Sequence, residues 1–216
     1  MRGATGTVTR VKVCGLTNLE DARAAAEAGA DFLGFVFAPS PRRVDPARAR
    51  GFWRSLPAGI PRVGVFRDQP LEEVEAVLAA CDLDYLQFHG CERPAYCRVF
   101  GRRVIKAVSA RTPADLRVAE AFLELAEIVL VDLPKDEAGV LSLEVARAAA
   151  RLPVPVLLAG GLNPGNVGVL VREARPWGVD VARGVESSPG VKDHDAIRRF
   201  VLSAREGAAA PREAGR

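Results

Sequence analysis

Short apolar runs alternate along the chain with longer stretches rich in Ala, Leu and Arg. The apolar runs predict eight strands, at 11–13, 32–37, 62–66, 85–88, 104–107, 128–131, 156–159 and 179–182. The longer stretches predict a helix after each strand, at 19–28, 46–56, 71–80, 94–99, 113–125, 143–151, 166–172 and 194–205. Asp45 and Thr112 support two of the helix starts, because each is a capping residue followed by proline at the first helical position.

Eight strand–helix units follow one another without a domain-sized interruption. Near-continuous apolar strands that alternate with helices are typical of a parallel sheet covered by helices. Eight units in about 200 residues fit a small barrel, so we predict an α/β fold, a single-domain (β/α)8 (TIM) barrel over residues 11–206. An open doubly wound sheet is the alternative, but no GxGxxG fingerprint follows the first strand. Residues 1–10 are expected to form an N-terminal extension and residues 207–216 a flexible tail.

Composition narrows the function classes. The net charge is only +3 and no concentrated basic stripe is visible, so nucleic acid is not an expected partner. No apolar run approaches the roughly 20 residues that cross a bilayer, and the first nine residues lack the apolar core of a signal peptide. The four cysteines form no CxxC pair, so no structural zinc site is predicted. We therefore expect a cytoplasmic protein without a metal.

Polar side chains stand where four of the predicted strands end. In a barrel the active site lies at the C-terminal ends of the strands, which selects Cys14, His89, Asp132 and Asp180. Because side chains alternate along a strand, Lys12 shares the face of Cys14. A buried lysine needs a partner, and closure of the barrel brings the eighth strand beside the first. We therefore predict a Lys12–Asp180 contact within about 6 Å.

Each of these residues also has a structural interpretation. Most free cysteines are small buried apolar side chains, and Cys14 could be one of them. An aspartate that ends a strand, such as Asp132, is either a helix cap or an acid–base group. His89 could be a hydrogen-bonded histidine at the rim of the barrel. The other three cysteines lie in or beside predicted helices, where a structural role is expected.

Two late segments have the composition of anion-binding loops. Residues 159–164 follow the seventh strand and contain Gly160 and Gly161, and residues 183–190 follow the eighth strand and begin with Arg183 and Gly184. Glycine lets the backbone approach a ligand closely, and barrels often bind phosphate between these two loops. A phosphate site is the functional interpretation, and ordinary tight turns are the alternative.

Several ordered segments resemble the phosphoribosylanthranilate isomerase family over nearly the whole chain. The matching segments are 12–17, 29–31, 34–37, 40–42, 63–66, 87–90, 158–164, 184–186 and 189–193. The resemblance implies a (β/α)8 barrel and a tryptophan-pathway isomerase. Its reaction is the Amadori rearrangement of N-(5-phosphoribosyl)anthranilate, a sugar phosphate, without metal or organic cofactor.

The resemblance also implies roles for individual residues. Cys14 corresponds to the general base and Asp132 to the general acid. Arg42 corresponds to the residue that binds the anthranilate carboxylate, with Arg43 as an alternative one residue away, and we place His89 and Asp180 among the substrate-binding residues. A thiol has a pKa of about 8.5, so a base at neutral pH needs that pKa lowered, for which the charge of Lys12 is a candidate cause. A homodimer is plausible by the same resemblance.

The chain departs from the family pattern in two loops. Residues 133–141 lack the usual Gly-Gly-Thr/Ser-Gly stretch after the sixth strand, which puts closure of that loop over the substrate in doubt. Ala182 and Arg183 replace a Ser-Ser pair, and we hypothesise that Arg183 binds the phosphate instead of a serine hydroxyl. Two other functions compete. A pentose-phosphate epimerase would need a metal site of two histidines and two aspartates, whereas only His89 and His194 are present. A non-catalytic metabolite-binding barrel is the second.

Overall fold

The chain folds into a closed barrel of eight parallel strands, which confirms the predicted (β/α)8 fold. The computed structural model describes residues 8–134 and 137–211, with the backbone alone for Phe52. The limits of each strand lie within two residues of those predicted. The strands are β1 (Arg10–Val13), β2 (Phe32–Val36), β3 (Arg62–Phe66), β4 (Tyr85–Phe88), β5 (Arg103–Ser109), β6 (Ile128–Asp132), β7 (Val156–Leu158) and β8 (Gly178–Val181).

Seven α-helices follow strands on the outside of the barrel, among the described residues. They are α1 (Leu19–Glu27), α2 (Pro46–Trp53), α3 (Leu71–Ala80), α4 (Pro94–Arg98), α5 (Leu143–Ala149), α6 (Val167–Ala174) and α7 (His194–Ala209). A short hairpin of β9 (Glu186–Ser188) and β10 (Val191–Lys192) precedes α7 and is absent from the sequence prediction. No helix within the described ranges combines the length and the apolar character needed to cross a membrane.

The connection between β5 and β6 is a 3₁₀ helix, Pro113–Phe122, where an ordinary helix was predicted. Its buried residues are Leu116, Ala119 and Phe122, which recur at every third position. A 3₁₀ helix has three residues per turn, so this spacing places all three side chains on one face against the barrel. The start agrees with the prediction, since Thr112 and Asp115 form a capping box on either side of Pro113.

Pairing of β1 with β8 closes the barrel and brings Lys12 directly opposite Asp180. Inward-facing side chains form their own apolar cluster, separate from the core between strands and helices. That inner cluster is Phe32, Val63, Tyr85, Ile105, Ala107, Ile128, Leu130, Leu157 and Ala159. Lys12 and Asp180 also point into the barrel. Side chains alternate along a strand, and the neighbours of these two residues belong to the core between strands and helices: Val11, Val13, Val179 and Val181.

The two ends of the chain are more regular than predicted. β1 begins at Arg10, inside the segment assigned to the extension, and residues 1–7 lie outside the described part. Helix α7 continues to Ala209, three residues into the segment assigned to the tail. The reason is packing: a Cβ on Gly207 would overlap the carbonyl oxygen of Gly168, so α6 and α7 touch at this glycine. Residues 212–216 lie outside the described part.

Candidate active site

Cys14 follows β1 at the C-terminal end of the barrel, as predicted. Its backbone N–H donates to the carbonyl oxygen of Val181 at 2.8 Å, which holds it beside β8. The residue is 7% exposed. A Cβ on Gly34 would lie 2.9 Å from the Cys14 Sγ and 3.0 Å from the Lys12 Nζ, so the glycine provides the space for both groups. Gly34 stands in one of the matching segments, but sequence reasoning did not assign it to the site.

The predicted Lys12–Asp180 contact is confirmed. The Lys12 Nζ donates to the Asp180 Oδ1 at 2.8 Å, and the lysine side chain is fully buried. Burial alone would lower the pKa of Lys12, but the charge of Asp180, which also accepts its hydrogen bond, raises it above its ordinary value. Asp180 was assigned to substrate binding; in the structure one of its oxygens is held by Lys12, and the residue also lines the cavity at the mouth.

The Cys14 thiol does not have the lowered pKa that we expected. Burial raises the pKa of Cys14, and the nearby charge of Lys12 opposes that rise without reversing it. Asp180 adds to the rise, and Lys192 opposes it. The expectation considered only the neighbouring cation, whereas loss of hydration around the thiolate has the larger effect here. The thiol is therefore the dominant form in the free protein at neutral pH.

Asp132 ends β6 and faces the mouth. Its Oδ1 accepts from the backbone N–H of Leu133 at 2.7 Å, and its Oδ2 lies 3.5 Å from the Nε2 of His89. The side chain does not cap the next helix, because Ser142 caps α5. His89 is held in turn by Gln87, whose Nε2 lies 2.9 Å from the His89 Nδ1. The acid–base interpretation of Asp132 therefore agrees with its position better than the capping interpretation.

The two glycine-rich loops meet around a cavity of about 370 Å³. Gly160 and Gly161 both have left-handed backbones, with φ of 89° and 68°, which favour glycine. A Cβ on Gly184 would overlap the carbonyl oxygen of Leu162, so the loops after β7 and β8 touch. The cavity is lined by Asp132, Ala159, Gly160, Gly161, Leu162, Asp180, Val181, Ala182, Arg183 and Gly184. It thus joins the predicted phosphate-binding residues, Arg183 included, to the predicted acid.

The loop after β6 lies against the turn formed by Gly160 and Gly161. The backbone N–H of Leu141 donates to the carbonyl oxygen of Gly160 at 3.1 Å. A Cβ on Gly161 would overlap the carbonyl oxygen of Gly139. The described part of this loop therefore contacts the turn that lines the cavity, although it lacks the family's glycine pattern. Residues 135–136, in the middle of the loop, lie outside the described part.

Arg42 reaches the same end of the barrel, and a carboxylate of this chain already holds one edge of it. Its Nε and Nη2 each donate to an oxygen of Glu186 at 2.7 Å. Lys192 donates to the Glu186 Oε1 at 2.9 Å. The alternative, Arg43, is exposed and lines a different cavity beside Glu73. Glu186 and Lys192 were missed as site residues, although both stand in segments that match the family.

The remaining candidates stay outside this arrangement. Cys81 and Cys97 are buried, and burial raises the pKa of each thiol to about 11, as expected of structural cysteines. Cys91 is exposed. Among residues 8–134 and 137–211, no group of three or more His, Cys, Asp or Glu side chains is arranged to hold a metal ion.

The chain is similar in sequence and in structure to known isomerases. Residues 11–203 match the family model described as N-(5′phosphoribosyl)anthranilate (PRA) isomerase. The isomerase of that name from Desulforudis audaxviator (strain MP104C) is 45% identical over 203 residues, covering 92% of this chain and 99% of that protein. The crystal structure of phosphoribosyl anthranilate isomerase from Thermotoga maritima is similar with a TM-score of 0.84 at 38% identity, covering 91% of this chain and 98% of that one. A structure of such an isomerase with reduced 1-(o-carboxyphenylamino)-1-deoxyribulose 5-phosphate has a TM-score of 0.81, also at 38% identity and with the same coverage.

Proposed function

The chain belongs to the N-(5′-phosphoribosyl)anthranilate isomerase family, and we propose that Cys14 and Asp132 carry out the two proton transfers of its reaction. It is an isomerase of tryptophan biosynthesis that converts N-(5′-phosphoribosyl)anthranilate to 1-(2-carboxyphenylamino)-1-deoxyribulose 5-phosphate. One observation supports the assignment most: Asp132 shares a cavity with both glycine loops, at the barrel end where the Cys14 thiol lies.

The proposed sequence of steps uses both residues once. Asp132, protonated, gives its proton to the furanose ring oxygen as the bond from that oxygen to C1′ breaks. The nitrogen lone pair forms the C1′=N bond, which leaves a Schiff base. Cys14, as thiolate, then removes the proton from C2′ to give an enolamine. Protonation at C1′ and loss of the enol proton give the ketone, an isomer of the substrate.

Two anchors hold the substrate between these groups. The glycine loops after β7 and β8 bind the phosphate, and Arg42 binds the anthranilate carboxylate. A substrate fixed at both ends presents its ring to the acid and the base with little remaining freedom, which is how orientation contributes to rate. His89 and Asp180 border the reacting centre, through the contact of His89 with Asp132 and the position of Asp180 at the cavity wall.

Turnover and binding, measured together, test the acid–base assignment. The turnover of Cys14→Ala and of Asp132→Asn is measured by chromatographic separation of substrate and product. The affinity of each variant for the reduced product is measured by calorimetry. Loss of turnover with retained binding supports the assignment. Normal turnover by either variant would overturn the role of that residue, whereas loss of binding by both would indicate a damaged site.

Arg183→Met is expected to raise the KM for the substrate about tenfold, because a hydrogen bond between charged groups contributes about 1.5–3 kcal/mol and this side chain is exposed. The dissociation constant of inorganic phosphate should rise by a similar factor, with little change in kcat. Arg151→Met removes an exposed arginine beyond α5 and is the matched control. Unchanged phosphate binding by the Arg183 variant would show that Arg183 does not hold the phosphate.

We also propose that the chain forms a homodimer through exposed apolar loop residues. Val140, in the loop after β6, and Val191, in β10 of the hairpin, are each 48% exposed, and the Thermotoga maritima relative is described as dimeric. Light scattering coupled to size exclusion should give twice the 23.1 kDa mass of one chain. The mass of a single chain at micromolar concentration would contradict the proposal.

Cytoplasmic localisation belongs to the same proposal. All four cysteines are free thiols, which is the state favoured in a reducing compartment. Fractionation of cells that produce the protein should place it with cytoplasmic enzymes, and recovery from another compartment would contradict this.

A further inference from the structure

One edge of the Arg42 guanidinium is occupied and the adjacent edge is not. Nε and Nη2 each donate to one oxygen of Glu186, both at 2.7 Å. A guanidinium has five N–H donors in a planar fork, so this pairing leaves both hydrogens of Nη1 and one of Nη2. None of the described residues accepts a hydrogen bond from Nη1. The Nη1–Nη2 edge therefore has the geometry to accept a second carboxylate in the bidentate manner.

The hairpin of β9 and β10 places Glu186 opposite Lys192. The two residues are register partners, and both side chains are buried. The Lys192 Nζ donates to the Glu186 Oε1 at 2.9 Å and to the carbonyl oxygen of Ala182 at 3.0 Å. Burial alone would raise the pKa of Glu186, but hydrogen bonds from Arg42 and Lys192 hold it below its ordinary value. Glu186 is thus a fixed carboxylate at neutral pH.

The hairpin is itself attached to the loops that carry the site. The Thr17 hydroxyl, three residues after Cys14, donates to the carbonyl oxygen of Gly190 at 2.7 Å. The backbone N–H of Lys192 donates to the Asp21 Oδ2 at 3.0 Å. A Cβ on Gly15 would lie 2.6 Å from the Arg42 Cδ, so the arginine passes over the residue next to Cys14. Arg42 is therefore held relative to the thiol by contacts from both sides.

The charges of this cluster fit a single anionic ligand group. Two cations, Arg42 and Lys192, and one carboxylate, Glu186, leave one net positive charge. Without Lys192, the ion pair of Arg42 and Glu186 would have no net charge, and a second carboxylate would gain little net attraction from it. A carboxylate near buried charges of its own sign is unfavourable unless a cation compensates it.

We propose that Glu186 is a positioning residue that orients Arg42 toward the carboxylate of the substrate, and that Lys192 supplies the positive charge that makes this subsite anion-binding. The inference rests on the proposed function, in which Arg42 binds the anthranilate carboxylate. It predicts a division of roles within the guanidinium. Nε and one hydrogen of Nη2 donate to Glu186, and Nη1 and the other hydrogen of Nη2 donate to the carboxylate of the ligand.

Glu186→Gln separates positioning from charge, because the two effects have opposite signs. The substitution raises the net charge of the cluster from +1 to +2, which by itself would strengthen carboxylate binding. It also turns an amide N–H₂ toward Arg42 or Lys192. Because both of these side chains are donors, the paired hydrogen bonds from Arg42 to residue 186 are lost. If Glu186 positions Arg42, the variant should bind the reduced product about 10- to 100-fold more weakly than the unaltered protein does. This is the range expected for a lost hydrogen bond between charged groups. Tighter or unchanged binding would overturn the proposal.

The ligand pair is reduced 1-(o-carboxyphenylamino)-1-deoxyribulose 5-phosphate and the same compound without the carboxyl group. Glu186→Gln should weaken binding of the first and leave binding of the second unchanged, which a general loss of structure would not do. KM should rise with kcat largely retained. Ser188→Ala, on the exposed end of the hairpin, is the matched control and should bind both ligands as the unaltered protein does. Equal weakening of both ligands would count against positioning.

Lys192→Met tests the second half of the proposal and should weaken only the ligand with the carboxyl group. If that variant or Glu186→Gln does not fold, Glu186→Asp keeps the charge but shortens the reach to Arg42, and it should show the same selective weakening. If the unaltered protein binds the two ligands equally, the role of Arg42 in the proposed function is wrong. If it prefers the first and Glu186→Gln keeps that preference, only the present inference is wrong.

Discussion

Cys14→Ala should lower kcat for N-(5′-phosphoribosyl)anthranilate by about 10²–10⁴-fold, the usual contribution of an acid–base group. The substitution removes the only candidate base at the end of β1 and leaves the phosphate and carboxylate anchors intact. The reduced product should therefore bind with unchanged affinity. Asp132→Asn should have an effect of the same size, because an amide cannot give a proton to the ring oxygen.

The pH dependence follows from the state of the thiol. Burial raises the pKa of Cys14, so only a minority of the free protein carries the thiolate at neutral pH. For that reason the pH profile of kcat/KM should contain a titration above neutral pH that belongs to the Cys14 thiol, and the Cys14→Ala variant should lack this titration. Cys91→Ala is the matched control, since it removes an exposed thiol outside the cavity shared by Asp132 and the glycine loops. A similar loss of kcat in the control, or none in Cys14→Ala, would contradict the assignment.

Much of this arrangement could be predicted from the sequence because two simple periodicities determine it. The alternation of strand and helix identifies the barrel, and closure brings the first strand next to the last. The alternation of side chains within a strand then places Lys12 and Asp180 on the inner face. Those two rules are sufficient for a contact between residues 168 positions apart, found at 2.8 Å.

Other features depend on three-dimensional surroundings that no local pattern records. The direction of the Cys14 pKa shift reflects how completely the thiol is enclosed by the barrel, which the strand sequence does not state. Glu186 is 144 residues from Arg42, and its role depends on a hairpin within what looked like a loop. The 3₁₀ helix differs from the prediction because a spacing of three buried residues is easily taken for the helical pattern of three and four.

Lys106→Met should lower the free energy of unfolding by about 3–5 kcal/mol at neutral pH, as expected when one partner of a buried ion pair is removed. The Lys106 Nζ donates to the Glu92 Oε2 at 2.8 Å, and each side chain is 3% exposed. The lysine also donates to the carbonyl oxygen of Gly90 at 2.7 Å. Without it, Glu92 is left as a buried charge with no cation. Urea unfolding followed by circular dichroism measures the loss.

The free energy of unfolding lost in Lys106→Met should become smaller at acidic pH. Burial alone would raise the pKa of Glu92, but hydrogen bonds from Lys106 and the backbone N–H of Asp68 hold it below its ordinary value. In the unaltered protein this stabilisation is present above the unfolded pKa of Glu92 and is lost as the pH falls through the folded one. In Lys106→Met the lysine no longer opposes the effect of burial, so the pKa of Glu92 rises and the carboxylate is protonated at a higher pH than in the unaltered protein. The difference in stability between the two proteins should therefore shrink as the pH falls from 7 toward about 5.

An exposed ion pair in the same region separates this effect from a general loss of charge. Arg103 and Glu127 join β5 to the start of β6, and both side chains are largely exposed. Arg103→Met should change the free energy of unfolding by no more than about 1 kcal/mol, because solvent screens an exposed pair. If both variants lose the same free energy of unfolding, burial is not the reason that the Lys106–Glu92 pair stabilises the protein. A larger loss in Lys106→Met that persists at acidic pH would instead assign the effect to packing of the lysine stem, since protonation of Glu92 cannot restore that contact.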